Sequence, residues 1–312
     1  MGLHRFALLT AWATFFLILV GGLVTSTGSG LAVPDWPLSF GRLFPPMVGG
    51  VLYEHGHRMV AAFVGALTLV LTIWICLRET RGWVRGLAVA AFLALLLQGA
   101  LGGITVLFLL PTAVSVAHAL LAHAFFCLTV ALAAVTGPRG GDLARPAAAE
   151  VRLSLRRLCA LTTAVVYGQL ILGAVVRHTG AGLAIPDFPL AFGGLVPPMD
   201  NPAVVIHFLH RLGAVAVTAC IVWTLAWVVR RHREEATLLR PALGMAGLLI
   251  LELTLGALTI WTERAVLPTT GHVAVGGAIL ATSLLLTLRS YGLLASPEPR
   301  VRHRLVSEQV PA

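Results

Sequence analysis

The segment GLAVPDWPLSFG at Gly30–Gly41 recurs almost unchanged as GLAIPDFPLAFG at Gly182–Gly193. Each copy contains two closely spaced prolines around an aspartate and an aromatic residue. Proline removes a backbone donor and fixes φ, so neither copy can continue a membrane-spanning helix. We therefore predict two irregular segments, called the Pro-Asp loops below, and their duplication predicts a function that is also duplicated.

The composition around these loops is that of an integral membrane protein. Of the 312 residues, 58% are hydrophobic and only 11% are charged, whereas a soluble domain carries about 25% charged residues. The formal net charge is +9, and every basic residue other than histidine is an arginine. These arginines form short clusters between apolar runs rather than one stripe, which excludes nucleic-acid binding as the main interpretation.

Eight apolar stretches are long enough to span a bilayer, which takes roughly 17–25 residues of helix. We predict them at about 6–26, 57–77, 84–106, 113–136, 155–176, 205–229, 238–262 and 268–289. The first follows Arg5 as a secretory signal would, but it lacks a convincing cleavage site, so we predict a permanent helix.

The arginines also predict the orientation of the chain. Most of them fall at one end of the predicted helices, and the exceptions are Arg42, Arg58, Arg177, Arg211 and Arg264. The positive-inside rule then places both termini in the cytoplasm and both Pro-Asp loops on the outer side of a cell (inner or cytoplasmic) membrane.

Further matches extend the duplication to two halves of the chain. The matching pairs are Pro45-Pro46 with Pro197-Pro198, HRMVAAFVGAL from His57 with HRLGAVAVTAC from His210, LGGITV from Leu101 with LGALTI from Leu255, and His118 with His272. Each half has an even number of predicted helices, so the two copies keep the same orientation and form a parallel repeat. We predict an all-α membrane protein of eight transmembrane helices, arranged as two pseudo-symmetric four-helix bundles.

The halves predict the domain boundaries. Residues 1–136 form the N-terminal bundle, 137–157 a cytoplasmic linker, 158–290 the C-terminal bundle and 291–312 a cytoplasmic tail.

Four histidines occupy repeat-related positions at a common predicted depth: His57, His118, His210 and His272. A lone histidine in a membrane helix most often hydrogen-bonds to another helix. Four at one depth favour ligation of heme or metal, because two imidazoles converging across a bundle can take both axial positions of a heme iron. We expect small residues to leave room for the flat macrocycle: Gly65, Gly213, Gly276 and Gly277.

A carboxylate distinguishes the two halves. Glu54 precedes His57 by three residues in EHGHR, and the second half has His207 at the matching place in HFLHR. A carboxylate near an iron centre can take a proton or stabilise positive charge, although an acid near a helix N-terminus is also favoured by the helix dipole. We predict that the first half performs chemistry and the second carries electrons.

Other polar residues have weaker interpretations. Arg58 and Arg211 are candidate partners for heme propionates, with a snorkelling arginine at the interface as the alternative. For His55, His123 and His178 we expect structural or interfacial roles. Glu252, whose repeat partner is Gln98, is expected to hydrogen-bond between helices, with a proton path as the alternative.

Taken together, the PDWP and PDFP loops, the motifs ExxHR at Glu54–Arg58 and HxxHR at His207–Arg211, and the histidines His118 and His272 resemble the heme A synthase family over residues 1–290. The resemblance implies two four-helix halves and an oxidoreductase that oxidises a methyl group of heme O to the formyl group of heme A for terminal oxidases.

The resemblance also implies roles for individual residues. His57 and His118 would ligate the substrate heme O with Glu54 as the catalytic acid, and His210 and His272 would be the axial ligands of a heme b cofactor. Heme O synthase and a membrane electron donor such as quinol are the partners implied, and a homo-oligomer is left open. Many family members carry loop cysteines in the form CPDWPxC, and here Val33, Ser39, Ile185 and Ala191 stand at those places.

Two further readings stay open at this point. One is a diheme cytochrome b-type electron-transfer protein without this chemistry. The other is a transporter, because parallel repeats are common in transporters.

The cysteines give a first testable prediction. Cys76, Cys127, Cys159 and Cys220 all fall in or at the inner ends of predicted helices, so none can form a disulfide in the Pro-Asp loops. Replacing all four by serine or alanine should leave heme A formation largely intact, measured by extraction and chromatography of cellular hemes. Complete loss of activity in a folded protein would contradict this.

Overall fold

The computed structural model describes residues 2–137 and 150–293. Its long elements are the helices α1 (Gly2–Ser26), α2 (Gly50–Arg78), α3 (Gly82–Leu107), α4 (Thr112–Val135), α5 (Glu150–His178), α6 (Pro202–Arg231), α7 (Ala236–Trp261) and α8 (Val266–Leu293). All eight are long and apolar enough to cross a membrane. The predicted class, an all-α multi-pass membrane protein with eight spans, is confirmed.

All eight helices begin earlier than the apolar runs indicated, and α2 differs the most. α2 begins at Gly50 and not near residue 57, and α6 begins at Pro202. Asn201 caps α6, since its side-chain oxygen accepts from the Ala203 N–H at 2.9 Å, and Pro202 occupies the first helical position, where no donor is lost. In α2 the polar residues Glu54, His55 and His57 follow the first turn and interrupt the apolar run, which hid the start of this helix. As a consequence Glu54 and His57 lie on one helix, about one turn apart.

Each set of four helices closes into a ring of contacts. α1 packs on α2 and α4, and α3 packs on the same two helices; in the second set α5 packs on α6 and α8, and α7 completes the ring. α2 therefore faces α4 diagonally across the first ring, and α6 faces α8 across the second. Buried residues of each ring form a separate apolar cluster, with Leu71 and Leu132 in the first and Ile221 and Leu280 in the second.

The two rings meet along α1, α4, α5 and α8. Arg177 on α5 crosses this contact, and its guanidinium donates to the Gly22 carbonyl of α1 at 2.6 Å and to the Ser26 hydroxyl at 3.0 Å. The repeat partner of Arg177 in the first half is Thr25. The arginine therefore makes a contact between the halves that a strict duplication would not contain.

The predicted domain boundaries meet the described residues only in part. α5 begins at Glu150, inside the segment predicted as a linker at 137–157, while residues 138–149 lie outside the described part of the chain. α8 ends at Leu293, and the rest of the predicted tail at 291–312 is also outside it. The division into two domains stays a prediction.

All four cysteines are free, and each lies on a helix. The α1–α2, α3–α4, α5–α6 and α7–α8 connections share one end of the protein, called the loop end below.

A tight turn explains the aspartate of each Pro-Asp loop. Phe40 and Gly41 both have positive φ, 53° and 67°, between the paired backbones of Ser39 and Arg42. A positive φ is strained for phenylalanine. The Asp35 carboxylate offsets this strain, since its two oxygens accept from the Phe40 and Gly41 N–H groups at 2.7 and 2.8 Å. These two bonds lower the pKa of Asp35.

The second loop repeats this turn. Phe192 and Gly193 have φ of 55° and 76°, and the Asp187 carboxylate accepts their N–H groups at 2.8 and 2.9 Å. The same bonds lower the pKa of Asp187. The Trp36–Pro37 and Phe188–Pro189 peptide bonds are both cis. The recurrence of one irregular conformation supports the predicted repeat.

Removing the carboxylate should loosen the turn. Asp187→Ala should accelerate amide hydrogen exchange at Phe192 and Gly193, because their donors lose charge-assisted acceptors. Since the folded pKa of Asp187 lies below its usual value, the carboxylate's contribution should persist at neutral pH and disappear as the pH falls through the lowered pKa. Asp200→Ala is the matched control in the same connection, because Asp200 is exposed and no such turn depends on it. Unchanged exchange at both amides in the Asp187 variant would refute the turn's dependence on this side chain.

Candidate heme-binding site

An arginine on α2 ties the first Pro-Asp loop to the helix that carries His57. One nitrogen of Arg58, Nη1, donates to the Asp35 and Leu38 carbonyls at 2.7 and 2.8 Å. Arg211 binds the matching carbonyls of the second loop with two nitrogens, since Nη1 donates to the Leu190 carbonyl and Nη2 to the Asp187 carbonyl, both at 2.7 Å. Arginine has a forked set of donors and always stays charged, so it can satisfy several loop carbonyls at once. Their predicted role as propionate partners stays a prediction.

The residues that precede the predicted ligands also bind the loops. Glu54 Oε2 accepts from the Val33 N–H at 2.8 Å, and Glu54 Oε1 contacts Arg58 at 2.6 Å. In the second half His207 Nδ1 accepts from the Ile185 N–H at 3.2 Å. Glu54 and His207 are each only 4% exposed. Both side chains thus hold the same loop amide, but only the first brings a negative charge.

The four predicted ligands lie about two turns inside the loop end, one on each of α2, α4, α6 and α8. His210 and His272 face each other across the second ring of helices, and the centroids of their imidazoles are 6.3 Å apart. His57 and His118 lie near enough to interact electrostatically across the first ring of helices. The structure therefore brings the histidines together in the pairs that the repeat predicted.

A glycine lies against each of these imidazoles. A Cβ added at Gly21 would lie 3.1 Å from His57, at Gly102 3.2 Å from His118, at Gly173 3.3 Å from His210, and at Gly256 3.2 Å from His272. Each glycine lies in the last two turns of the helix adjacent to its histidine. Any larger side chain would push the ring away, so the glycines fix where each imidazole can lie.

These glycines differ from those that the sequence singled out. The nearest side chains to Gly65, Gly213, Gly276 and Gly277 are Leu95, Gln169, Glu252 and His123, respectively. The matching segments LGGITV and LGALTI already aligned Gly102 with Gly256, and GGLVTSTGSG and GAVVRHTGAG aligned Gly21 with Gly173. The alignment of the two halves therefore already indicated that these glycines occur in matching pairs.

Sequence reasoning also gave no role to Gln169. Its amide donates to the His210 carbonyl at 2.8 Å and lies 3.1 Å from His210 Nδ1. The repeat partner is Leu17, so the first half lacks this contact. Only the polar environment of the second half could have indicated it.

His55, His123 and His178, which the sequence analysis also singled out, contact other parts of the protein. His55 Nδ1 lies 2.8 Å from the Ser39 hydroxyl in the first Pro-Asp loop. His123 Nδ1 bonds the Ala119 carbonyl one turn earlier on α4, at 2.8 Å, and the backbone carbonyl of His178 accepts from Thr112 at 3.4 Å. The side-chain contacts of His55 and His123 fit the structural roles expected for them, and the role of His178 stays a prediction.

The arrangement fits heme better than a bare metal ion. Across residues 2–137 and 150–293, no three His, Cys, Asp or Glu side chains gather into a group that could hold an ion, whereas protein zinc sites use at least three such ligands. Two opposed imidazoles are what axial ligation of a heme iron requires. Each half of the chain supplies one such pair.

One family profile matches most of the chain. The profile of the COX15-CtaA family, described as cytochrome oxidase assembly protein, matches residues 4–50 and 48–284. The chain belongs to this family.

Individual relatives are proteins named heme A synthase. The chain is 34% identical over 252 residues to that of Symbiobacterium thermophilum, covering 77% of this chain and 80% of the relative. Identity is 29% over 302 residues to that of Halalkalibacterium halodurans, with 92% and 96% covered. It is 30% over 295 residues to that of Shouchella clausii, with 93% and 95% covered. The family resemblance read from the motifs is confirmed.

The ring pair in the second half generates a spectroscopic prediction. Replacing His210 or His272 by Ala or Met should remove or shift a low-spin heme signal in the visible spectrum of the purified protein, since one axial ligand is lost. Membrane insertion should persist, because the helices keep their apolar surfaces. An unchanged spectrum in both single variants would show that these residues are not heme ligands.

Proposed function

We propose that this protein is a heme A synthase that oxidises a methyl group of heme O to a formyl group. The observation that carries the proposal is the facing pair of His210 and His272 rings, with centroids 6.3 Å apart. Membership of the COX15-CtaA family and the names of the relatives support the same activity.

The two histidine pairs divide the work. His57 and His118 hold the substrate heme O in the N-terminal half, and His210 and His272 hold heme b in the C-terminal half. A bound heme b supplies a one-electron redox centre. The residue that supports this division is Glu54, because the second half has a histidine in its place.

Glu54 is the group that we propose takes the proton. Its Oε1 contacts Arg58 and its Oε2 accepts from the Val33 N–H, so the carboxylate is held in a fixed position next to the first Pro-Asp loop. A carboxylate one helical turn from His57 can take a proton or stabilise positive charge at the reacting carbon. The residue thus serves as a proton acceptor, whereas the resemblance alone suggested an acid.

The loops shield the reaction from water. Val33, Ser39, Ile185 and Ala191 are all buried, and both loops are held by Asp turns and arginines at the loop end. Residues at the family's cysteine positions thus contribute packing here, and Ser39 also contacts His55. Substrate handling in this chain needs no thiol at those positions.

The distribution of arginine supports a location in the cell membrane with the loop end outside and both termini in the cytoplasm. Heme O synthase is the partner that would supply the substrate, and a membrane electron donor such as quinol would exchange electrons with heme b.

A diheme electron-transfer protein without this chemistry is the second candidate. The observation that favours it is that both oxygens of Glu54 are engaged by Arg58 and Val33, as expected of a loop anchor. The transporter reading has less support, since each of the eight described helices runs without a break.

Three substitutions of Glu54 separate catalysis from anchoring. Glu54→Ala and Glu54→Gln should lower heme A formation by roughly 100-fold or more, with heme O or a hydroxylated intermediate accumulating. Glu54→His should be equally damaging, although it copies His207 and keeps an acceptor for the loop amide. The measurement is chromatography of hemes from cells that also express a heme O source.

Heme b bound through His210 and His272 should persist in each Glu54 variant, which controls for folding. His207→Ala should reduce turnover far less than Glu54→Ala. Wild-type levels of heme A in Glu54→His would show that Glu54 is only a loop anchor. If His207→Ala is more damaging than Glu54→Ala, the chemistry does not take place in the N-terminal half.

A further inference from the structure

Glu252 is a carboxylate within the apolar span of α7. α7 runs from Ala236 to Trp261 and qualifies as a membrane span. An acidic side chain in such a helix is costly unless it has a partner, and it usually marks a functional contact. Neither the proposed chemistry nor the proposed ligand set uses this residue.

Its partner is the imidazole of His272. His272 Nδ1 lies 3.2 Å from Glu252 Oε1 and 3.2 Å from the Glu252 backbone carbonyl. A backbone carbonyl can only accept, so the contact with the Glu252 carbonyl indicates that Nδ1 carries the proton and donates it. The other ring nitrogen, Nε2, is then the one with a free lone pair, which is the form that a metal ligand needs.

The first half lacks this contact. Gln98 occupies the place of Glu252, and its amide donates to the His118 backbone carbonyl at 2.9 Å. His118 Nδ1 is buried and has no hydrogen-bond partner among residues 2–137 and 150–293. The tautomer and the rotation of the two rings are therefore controlled differently, by a carboxylate on His272 and by no side chain on His118.

A small residue makes room for the carboxylate. A Cβ added at Gly276 would lie 3.0 Å from both Glu252 Oε1 and Leu170 Cδ2, which is closer than ordinary side-chain contacts. The first half has Ala122 at the matching place beside Gln98. The pair of differences, Glu252 with Gly276 against Gln98 with Ala122, indicates that the space in the second half accommodates the acid.

We propose that Glu252 is a positioning residue that fixes the heme ligand His272 through its Nδ1–H group. The inference rests on the proposed ligation of heme by His210 and His272. A carboxylate that accepts this hydrogen bond orients the ring and makes Nε2 a stronger donor to iron. The second half thereby retains its heme as a permanent cofactor, while the unfixed His118 suits a site whose substrate must enter and leave.

The test replaces the acid by its first-half counterpart. Glu252→Gln should raise the midpoint potential of the heme, because a weaker ligand stabilises the ferric state less. It should also accelerate heme transfer to apomyoglobin by about 10-fold or more, as expected for loss of such a contact. Electron paramagnetic resonance of the ferric protein should show shifted signals. Gln98→Glu, the reciprocal change, should leave the potential of this heme unaltered.

A second pair of variants protects the test against misfolding. Gly276→Ala keeps the acid but crowds its carboxylate, and it should shift the potential in the same direction. Ala122→Gly is the matched control and should not shift it. If Glu252→Gln and Gly276→Ala leave the potential, the resonance signals and the transfer rate unchanged, the inference is wrong.

The His272→Ala variant tests the proposed heme ligation separately from the role of Glu252. If the wild-type heme signal survives His272→Ala, both the ligand assignment and the role of Glu252 are overturned. If that signal is lost in His272→Ala but the properties of Glu252→Gln equal those of the wild type, only the role of Glu252 is overturned.

Discussion

The interaction on which the site depends is the binding of Pro-Asp loop carbonyls by Arg58 and Arg211. A loop with two prolines cannot satisfy its backbone groups through helix formation, and unsatisfied polar groups are costly next to hydrocarbon. Each guanidinium donates hydrogen bonds to several of these loop carbonyls. Each arginine also directly follows a predicted heme ligand in the sequence. The geometry of the loop and the position of the histidine on its helix are therefore set by the same contact.

Upon this common scaffold the halves differ in a few polar side chains. The loop amide that Glu54 holds in the first half is held by neutral His207 in the second. Near the opposite ligands, Gln98 leaves His118 Nδ1 without a partner where Glu252 engages His272. The acid thus lies beside the loop in one half and beside the ligand in the other. We propose that these two differences, histidine in place of one acid and an acid in place of one amide, give the duplicated halves different roles.

Much of this organisation could be predicted from the sequence because it rests on strong local signals. The apolar runs predicted all eight helices, and the duplicated motifs paired His57 with His210 and His118 with His272. The helix start at Gly50 was missed because Glu54, His55 and His57 interrupt the apolar run after the first turn. The carboxylate turn of Asp35 was missed because it depends on positive φ at Phe40, which no residue preference indicates. The glycines against the imidazoles need three-dimensional contacts between helices, which spacing along one helix does not contain.

The central claim is that one histidine from each of α2, α4, α6 and α8 binds heme iron in two pairs. Electron cryomicroscopy of the full-length protein, purified from cells supplied with heme O, tests it most directly. The account predicts one iron between His57 and His118 and another between His210 and His272, each beneath a Pro-Asp loop. Iron ligated by other residues, or a single heme shared between the two halves, would contradict it.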